Sequence, residues 1–217
     1  MKKPKENVAV ITADMVNFTL FSRDQTTVWL TELTEILRND PVFDWILKPE
    51  IYRGDSFQGV LKNSDQAMRL AVLARAIMKS HAPNTDLRIA IGIGRAEQIT
   101  DRPGTSDGEA FRFSGHLADN IRKQKARIGI ALKTDADPLN ANLDLLETLI
   151  EDWTPAQSEV IAKLLQNENI TRIAENLSIS QSAVSQRVSA AKWWAIDSFL
   201  STFPHQLKLY TNSELPS

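Results

Sequence analysis

Two aspartates of this 217-residue chain, Asp14 and Asp55, stand where carboxylates can do chemistry. Asp14 closes the strand pattern Asn7 to Asp14, with its apolar run Val8-Ala9-Val10-Ile11. Asp55 lies in Ile51-Tyr52-Arg53-Gly54-Asp55-Ser56-Phe57-Gln58-Gly59-Val60-Leu61, which reads as two short strands turning near Gly54-Asp55. Two carboxylates with a backbone carbonyl and water make an oxygen-rich site suited to Mg²⁺, which usually also takes a substrate phosphate. Aspartate is equally a turn residue, so a turn cap at Asp14 and a hairpin tip at Asp55 explain the same positions. Other chemistries find less. His81, His116 and His205 are scattered, without zinc-ligand spacing. Gly104-Thr105-Ser106-Asp107-Gly108 is not followed by Gly-Lys-Ser/Thr, which argues against a Walker loop, and nothing resembles a nucleophile elbow.

A second constellation lies near the C-terminus. Asn169 to Val188 carries helix-turn-helix phasing: small Ala174 where two helices would cross, and Ile173, Leu177, Ile179, Val184 and Val188 for one shared core. Ser178-Ile179 makes the turn and Ser180 caps the second helix. That helix would present Gln181, Ser182, Ser185, Gln186 and Arg187, a face able to read base edges and phosphates in a major groove. From Asp152 to Ile196, four basic residues (Lys163, Arg172, Arg187, Lys192) balance four acidic ones (Asp152, Glu159, Glu168, Glu175). One copy should therefore bind DNA weakly and with strong salt dependence, which favours a homodimer on two half-sites. A helical dimerisation or docking module is the competing reading, and the adjacent Trp193 and Trp194 speak for it, since both cannot face one small core.

The elements that must position these residues follow from periodicity. A helix is expected over Gln25 to Arg38, the hairpin over Ile51 to Leu61, and a helix over Asp65 to Lys79. Leu87 to Ile99 reads as a strand with Ile89, Ile91 and Ile93 on one face; Ala90, Gly92 and Gly94 on the other would let a helix or ligand approach closely. A loop over 101–107, a helix over Glu109 to Lys125, a strand over Arg127 to Thr134 and a helix over Leu139 to Ile150 complete a β-α-β-β-α-β-α-β order. Its first six elements match a ferredoxin-like βαββαβ unit with helices on one face of an antiparallel sheet. Beyond Glu151 the pattern is all helical. Thr154-Pro155-Ala156-Gln157 forms a capping box, and helices are expected over Pro155–Leu165, Ile170–Leu177 and Gln181–Ile196, with a loose tail from Thr211 to Ser217. The expected fold class is α+β followed by an all-α helix-turn-helix domain, with domains at 1–150 and 151–217.

Composition sets bounds on these readings. The chain has 25 Lys+Arg against 27 Asp+Glu, a formal net charge of −2, so a chain-wide cationic surface is excluded while a local patch is not. There is no cysteine, hence no disulfide and no thiolate chemistry. No apolar run approaches the roughly 20 residues of a membrane span, and the start shows no signal-peptide core. A soluble cytoplasmic protein with no membrane partner is expected.

Ile11-Thr12-Ala13-Asp14-Met15-Val16-Asn17-Phe18-Thr19 resembles the first metal motif of class III nucleotidyl cyclases. Arg53-Gly54-Asp55-Ser56-Phe57 is similar to their Gly-Asp hairpin and to the Gly-Gly-Asp-Glu-Phe hairpin of diguanylate cyclases, and Leu87 to Gly94 to their next core strand. With Ser106-Asp107-Gly108-Glu109-Ala110-Phe111 and Ser114-Gly115, the combination resembles the SatD family over residues 7 to about 195. The segment from Thr154 resembles the helix-turn-helix of sigma-factor region 4 and related response regulators.

The cyclase resemblance implies that Asp14, the carbonyl of Met15 and Asp55 hold Mg²⁺ or Mn²⁺, and that the amides of Val16, Asn17, Phe18 and Thr19 cradle phosphate. The chain departs from the cyclase pattern elsewhere. The transition-state Asn falls on Arg112 and the Arg on His116, the base-reading lysine falls on Ile51, and the second base-reading position on Thr105. Histidine lacks the permanent charge and the fork of arginine; Arg112, four residues earlier on the same helix face, would replace that charge. The implied function is a DNA-binding transcriptional regulator whose first domain binds a nucleotide or phosphorylated ligand with metal. The alternative is a metal-dependent nucleotidyl cyclase or related phosphoryl-transfer enzyme with Arg112 and His116 in catalysis.

Overall fold

The computed structural model describes residues 7–52, 54–123 and 125–211. Strand β1 (Val8–Val16) is buried along all nine residues because it is the middle of a sheet covered on both faces. It pairs antiparallel on one edge with β3 (Ser56–Leu61) and on the other with β4 (Asp86–Gly94). Outside these lie β2 (Trp45–Tyr52), antiparallel to β3, and β7 (Ile128–Ala131), parallel to β4. The order β2-β3-β1-β4-β7, with α1 (Arg23–Asn39) and α2 (Ala67–His81) as crossovers, gives the split βαβ arrangement extended by one strand. Two short strands, β5 (Ala96–Gln98) and β6 (Asp107–Gly108), form a separate antiparallel pair.

Period-two alternation in β1 sorts its side chains to two cores. Ala9, Ile11, Ala13 and Met15 join Leu30, Leu33 and Leu37 of α1 and nearly all of α2 in the main core. Val8 and Val10 join Val60, Ala110 and Phe111 in a smaller cluster on the opposite face, built on α3 (Glu109–Ile121). Helices thus cover both faces, not the single face expected. The reason is the methyl of Ala90 and the bare Cα of Gly92 and Gly94: a Cβ on Gly92 would fall 2.1 Å from the Ala110 carbonyl and 2.4 Å from the Ser114 amide.

The C-terminal half is helical: α4 (Asp137–Ile150), α5 (Pro155–Leu165), α6 (Ile170–Leu177), α7 (Gln181–Ala190) and α8 (Trp193–Thr211). Thr154 and Gln157 exchange both capping-box hydrogen bonds at the start of α5. Ile161 and Leu165 of α5 and Ile196, Phe203 and Leu207 of α8 belong to the same core as α2, so apolar packing runs unbroken across Glu151–Thr154.

Several boundaries differ from expectation. Strand β2 starts at Trp45, although Pro49 reads as a strand breaker; β2 is an edge strand, and register shifts around Leu47 absorb the proline. The helix expected over 181–196 breaks at Lys192, which takes a left-handed φ of 56°, and α8 then continues to Thr211 with Pro204 inside it. The break separates the two tryptophans: Trp193 packs against the main core while Trp194 is 75% exposed. Thr211 ends α8, and the rest of the expected tail lies outside the described residues.

One ionic cluster crosses the core. The fully buried Arg75 of α2 donates from Nε and Nη2 to both Asp86 oxygens at 2.8 and 2.7 Å, and from Nη1 and Nη2 to both Glu147 oxygens at 2.7 and 2.8 Å. Burial alone would lower the Arg75 pKa, but the two carboxylates outweigh it and raise it. Burial alone would likewise raise the Asp86 pKa, yet the charge and hydrogen bonds of Arg75, with Lys79, hold it below the usual carboxylate range.

Removing the guanidinium strands two carboxylates in the interior, so Arg75→Met should cost about 3–5 kcal/mol in urea unfolding. Asp86 binds its proton less readily folded than unfolded. Its contribution is therefore complete above about pH 4 and lost as pH falls through its depressed folded value. Wild-type stability should drop below about pH 4, and Arg75→Met should show less of this acid-side loss. Gly92→Ala should force α3 off the sheet, at a cost of about 1–3 kcal/mol by the same measurement.

Candidate functional site

Asp14 lies near the end of β1 on the face covered by α3, opposite Ser56 on β3 and Arg88 on β4. Its carboxylate is almost wholly buried and both oxygens face guanidinium groups. Arg88 Nη1 donates to Oδ2 at 3.1 Å, and Arg122 Nε, just beyond α3, reaches Oδ1 at 3.5 Å. Two residues back on the same strand face, Thr12 accepts from Ser114 Oγ at 2.7 Å and from Gln58 Nε2 at 3.0 Å, a polar seam that fixes α3 over β1. The Met15 amide donates to the Asp55 carbonyl at 2.9 Å, so the hairpin turn does meet the end of β1. The Asp55 carboxylate accepts from the hydroxyl of Ser56 at 2.9 Å.

This donor set does not fit the expected Mg²⁺ or Mn²⁺ at Asp14, Met15 and Asp55. A divalent ion at Asp14 would meet two guanidinium charges already seated on its oxygens. Among the described residues, no group of three His, Cys, Asp or Glu side chains could hold a metal ion. Arg88 and Arg122 are the partners that sequence reasoning missed. The signal for Arg88 was its place between Leu87 and Ile89 on the face of Ala90 and Gly92; for Arg122 it was the basic run Arg122-Lys123-Gln124-Lys125-Ala126-Arg127.

The other expected ligand residues fall into separate places. Val16 ends β1 and is buried, and Asn17 follows in a left-handed conformation with its Nδ2 donating to the Asn84 carbonyl at 3.1 Å. Phe18 and Thr19 lie in an exposed 3₁₀ turn, whose first amides have no partner within the turn. Arg112 sits near the start of α3 and is held by Glu97 at 2.7 Å and Asp107 at 3.2 Å, which raise its pKa. Ten residues separate it from Arg122, about 15 Å along a helix, so Arg112 and Asp14 lie at opposite ends of α3. His116 is exposed midway on α3. Thr105 borders a third location, a cleft of about 430 Å³ shared with Glu50, Tyr52, Gln58 and Arg102. Within one copy, Arg112, His116 and Thr105 lie apart from Asp14.

The C-terminal helices bring their expected residues together. Helix α6 starts on Asn169, whose side chain accepts from the Arg172 amide, and ends on Ser178 at φ 53°, a left-handed turn. Ser180 accepts from the Ala183 amide and starts α7. Ile173, Ala174 and Val184 bury against Val160 of α5, with Leu177, Ile179 and Val188 around them. Gln181, Ser182, Ser185 and Gln186 are exposed on α7, and the half-exposed Arg187 lies 4.0 Å from Glu159.

Comparison with protein-family models finds no match, so the SatD resemblance rests on the motifs alone. No curated protein matches the chain either. Among solved structures, one that resembles it is the active GGEEF domain of a diguanylate cyclase from Vibrio cholerae. The two share 16% identity at a TM-score of 0.45, over 60% of this chain and 85% of that one. So distant a likeness transfers no residue roles.

If the partners of Asp14 are arginines and not a cation, Asp14→Asn should cost about 1.5–3 kcal/mol of stability through the lost charged hydrogen bonds. Millimolar Mg²⁺ or Mn²⁺ should leave the wild-type melting temperature unchanged, as read by differential scanning calorimetry.

Proposed function

We propose that this protein is a DNA-binding transcriptional regulator, acting as a homodimer. In this reading α6 and α7 form a helix-turn-helix, and the cyclase-like α/β part binds a nucleotide or other phosphorylated ligand. One observation carries it: the polar face of α7 is open while its apolar face is consumed by a small core shared with α5 and α6. That exposed face carries Gln181, Ser182, Ser185 and Gln186, and α7 contains no acidic residue that would repel a phosphate backbone. Those groups suit base edges, and Arg187, held only by a 4.0 Å approach to Glu159, is free to turn to a base or phosphate.

Divalent metal drops out of the reading, because arginines occupy both oxygens of Asp14. Within one copy Arg112, the candidate phosphate group of the cyclase alternative, is bound to Glu97 and Asp107 at the far end of α3 from Asp14.

Mobility-shift assays of the full chain on promoter fragments at low salt should retard a subset of fragments. Gln186→Ala and Arg187→Ala should each weaken retardation by about 1–3 kcal/mol with unchanged circular dichroism. Absence of retardation on every fragment would overturn the proposal.

A further inference from the structure

A cavity of about 870 Å³ is lined by Val16 and Asn17, two of the residues expected to cradle phosphate, and by Arg88, the partner of Asp14. Its walls come from the ends of β1 and α2, the start of β4, the segment before β7 and the link between α4 and α5. That volume lies within the range of small-molecule sites.

Its cations decide what it would hold. Lys79, Arg88, Lys125 and Arg127 line it. Asp86, the most buried acid of the wall, is bound by Arg75, which Glu147 shares, and by Lys79 at 3.7 Å, so Arg88, Lys125 and Arg127 are the cations left for a ligand. Glu151 and Asp152, like Lys125, are exposed, where water and salt screen them, while Arg88 and Arg127 are partly buried. Among the described residues no ion pair involves Lys125 or Arg127, and Asp14 accepts from Arg88 through Nη1 alone. Arg88 Nε is buried and finds no acceptor. Lys125 and Arg127 belong to a segment with four basic residues in six, which repel one another unless an anion sits among them.

We propose that this cavity binds a di- or triphosphate group through Arg88, Lys125 and Arg127. The inference rests on the reading of the α/β part as a binder of phosphorylated ligands, and it is independent of DNA binding. It also supplies a route between the two halves. Trp153 lines the cavity, and its indole Nε1 donates to the Ala191 carbonyl at the end of α7 at 3.0 Å. An occupant would touch the residue that holds that end of the helix.

Calorimetric titration and thermal melting of the full chain, with chelator present, would test this using inorganic tripolyphosphate, ATP and adenosine. Tripolyphosphate and ATP should both bind and raise the melting temperature by roughly 5 °C at a hundredfold excess over Kd, while adenosine should not. ATP binding much tighter than tripolyphosphate would mark the ligand as a nucleotide, and equal binding as the polyphosphate group itself; either outcome supports the site. Lys125→Glu and Arg127→Gln should each weaken binding at least tenfold, while Lys123→Glu, in the same basic run but outside the cavity wall, should change it less than twofold. Lys125 is exposed, so its variant tests the site without threatening the fold. Phosphate binding untouched by Lys125→Glu and Arg127→Gln, or equally lost in Lys123→Glu, overturns the site but leaves the broader reading standing. No binding by any phosphate probe overturns both.

Discussion

The buried guanidinium of Arg75 is the constraint on which the arrangement of the two halves depends. Its four hydrogen bonds tie α2 to the first residue of β4 and to the third turn of α4. A charge in the interior is tolerated only when every donor is matched in good geometry, and one displaced partner leaves an uncompensated ion. Apolar contacts would let α4 slide over α2 at small cost. The bidentate pairs to Asp86 and Glu147 do not, because each fixes both distance and plane. The pairing of β4 with β1 places Arg88 opposite Asp14, and Arg75 holds the Asp86 end of that strand.

Charge matching also decides the chemistry at the end of β1. A carboxylate at a strand end beside a hairpin can serve a divalent cation or a guanidinium, and the local sequence does not distinguish them. What distinguishes them is the surplus. Arg88 and Arg122 on Asp14 make two positive charges against one negative. A further cation raises the energy of such a neighbourhood, while an anion lowers it. Arg88, one of the two partners of Asp14, is also a wall of the adjoining cavity.

Much of this was legible in the sequence because it is local. The buried run of β1, the capping box at Thr154, and the turn and cap at Ser178 and Ser180 are written within a few neighbouring residues. The glycine face of β4 announced a close approach, and α3 makes it. The partners of Asp14 were not legible, since Arg88 and Arg122 lie 74 and 108 residues away and meet it only through strand register and the seating of α3. Helix α8 was hidden by Pro204 and by a run of serine and threonine that blurs its period. It is helical because Ile196, Phe203 and Leu207 find the main core, a tertiary reward that propensity does not contain.

One helix of the α/β part holds the joints of the other half. Arg69 of α2 donates to the Leu165 carbonyl at the end of α5 and to Asn167, Arg75 grips α4, and Lys79 donates to the Glu151 carbonyl in the link between them at 3.0 Å. Helices α6 and α7 rest on α5 through their shared core, and Trp153 holds the end of α7. The open face of α7 is thus oriented by the sheet and not by a slack tether. For a reader of paired half-sites this matters more than affinity for one. When two copies associate through a rigid body, the separation of their exposed helices is fixed by geometry, and only half-sites at the matching spacing, one helical turn of DNA or a multiple, can be engaged together. In the proposed reading, a charge-poor face on each copy leaves little binding to any single site and assigns selectivity to the spacing.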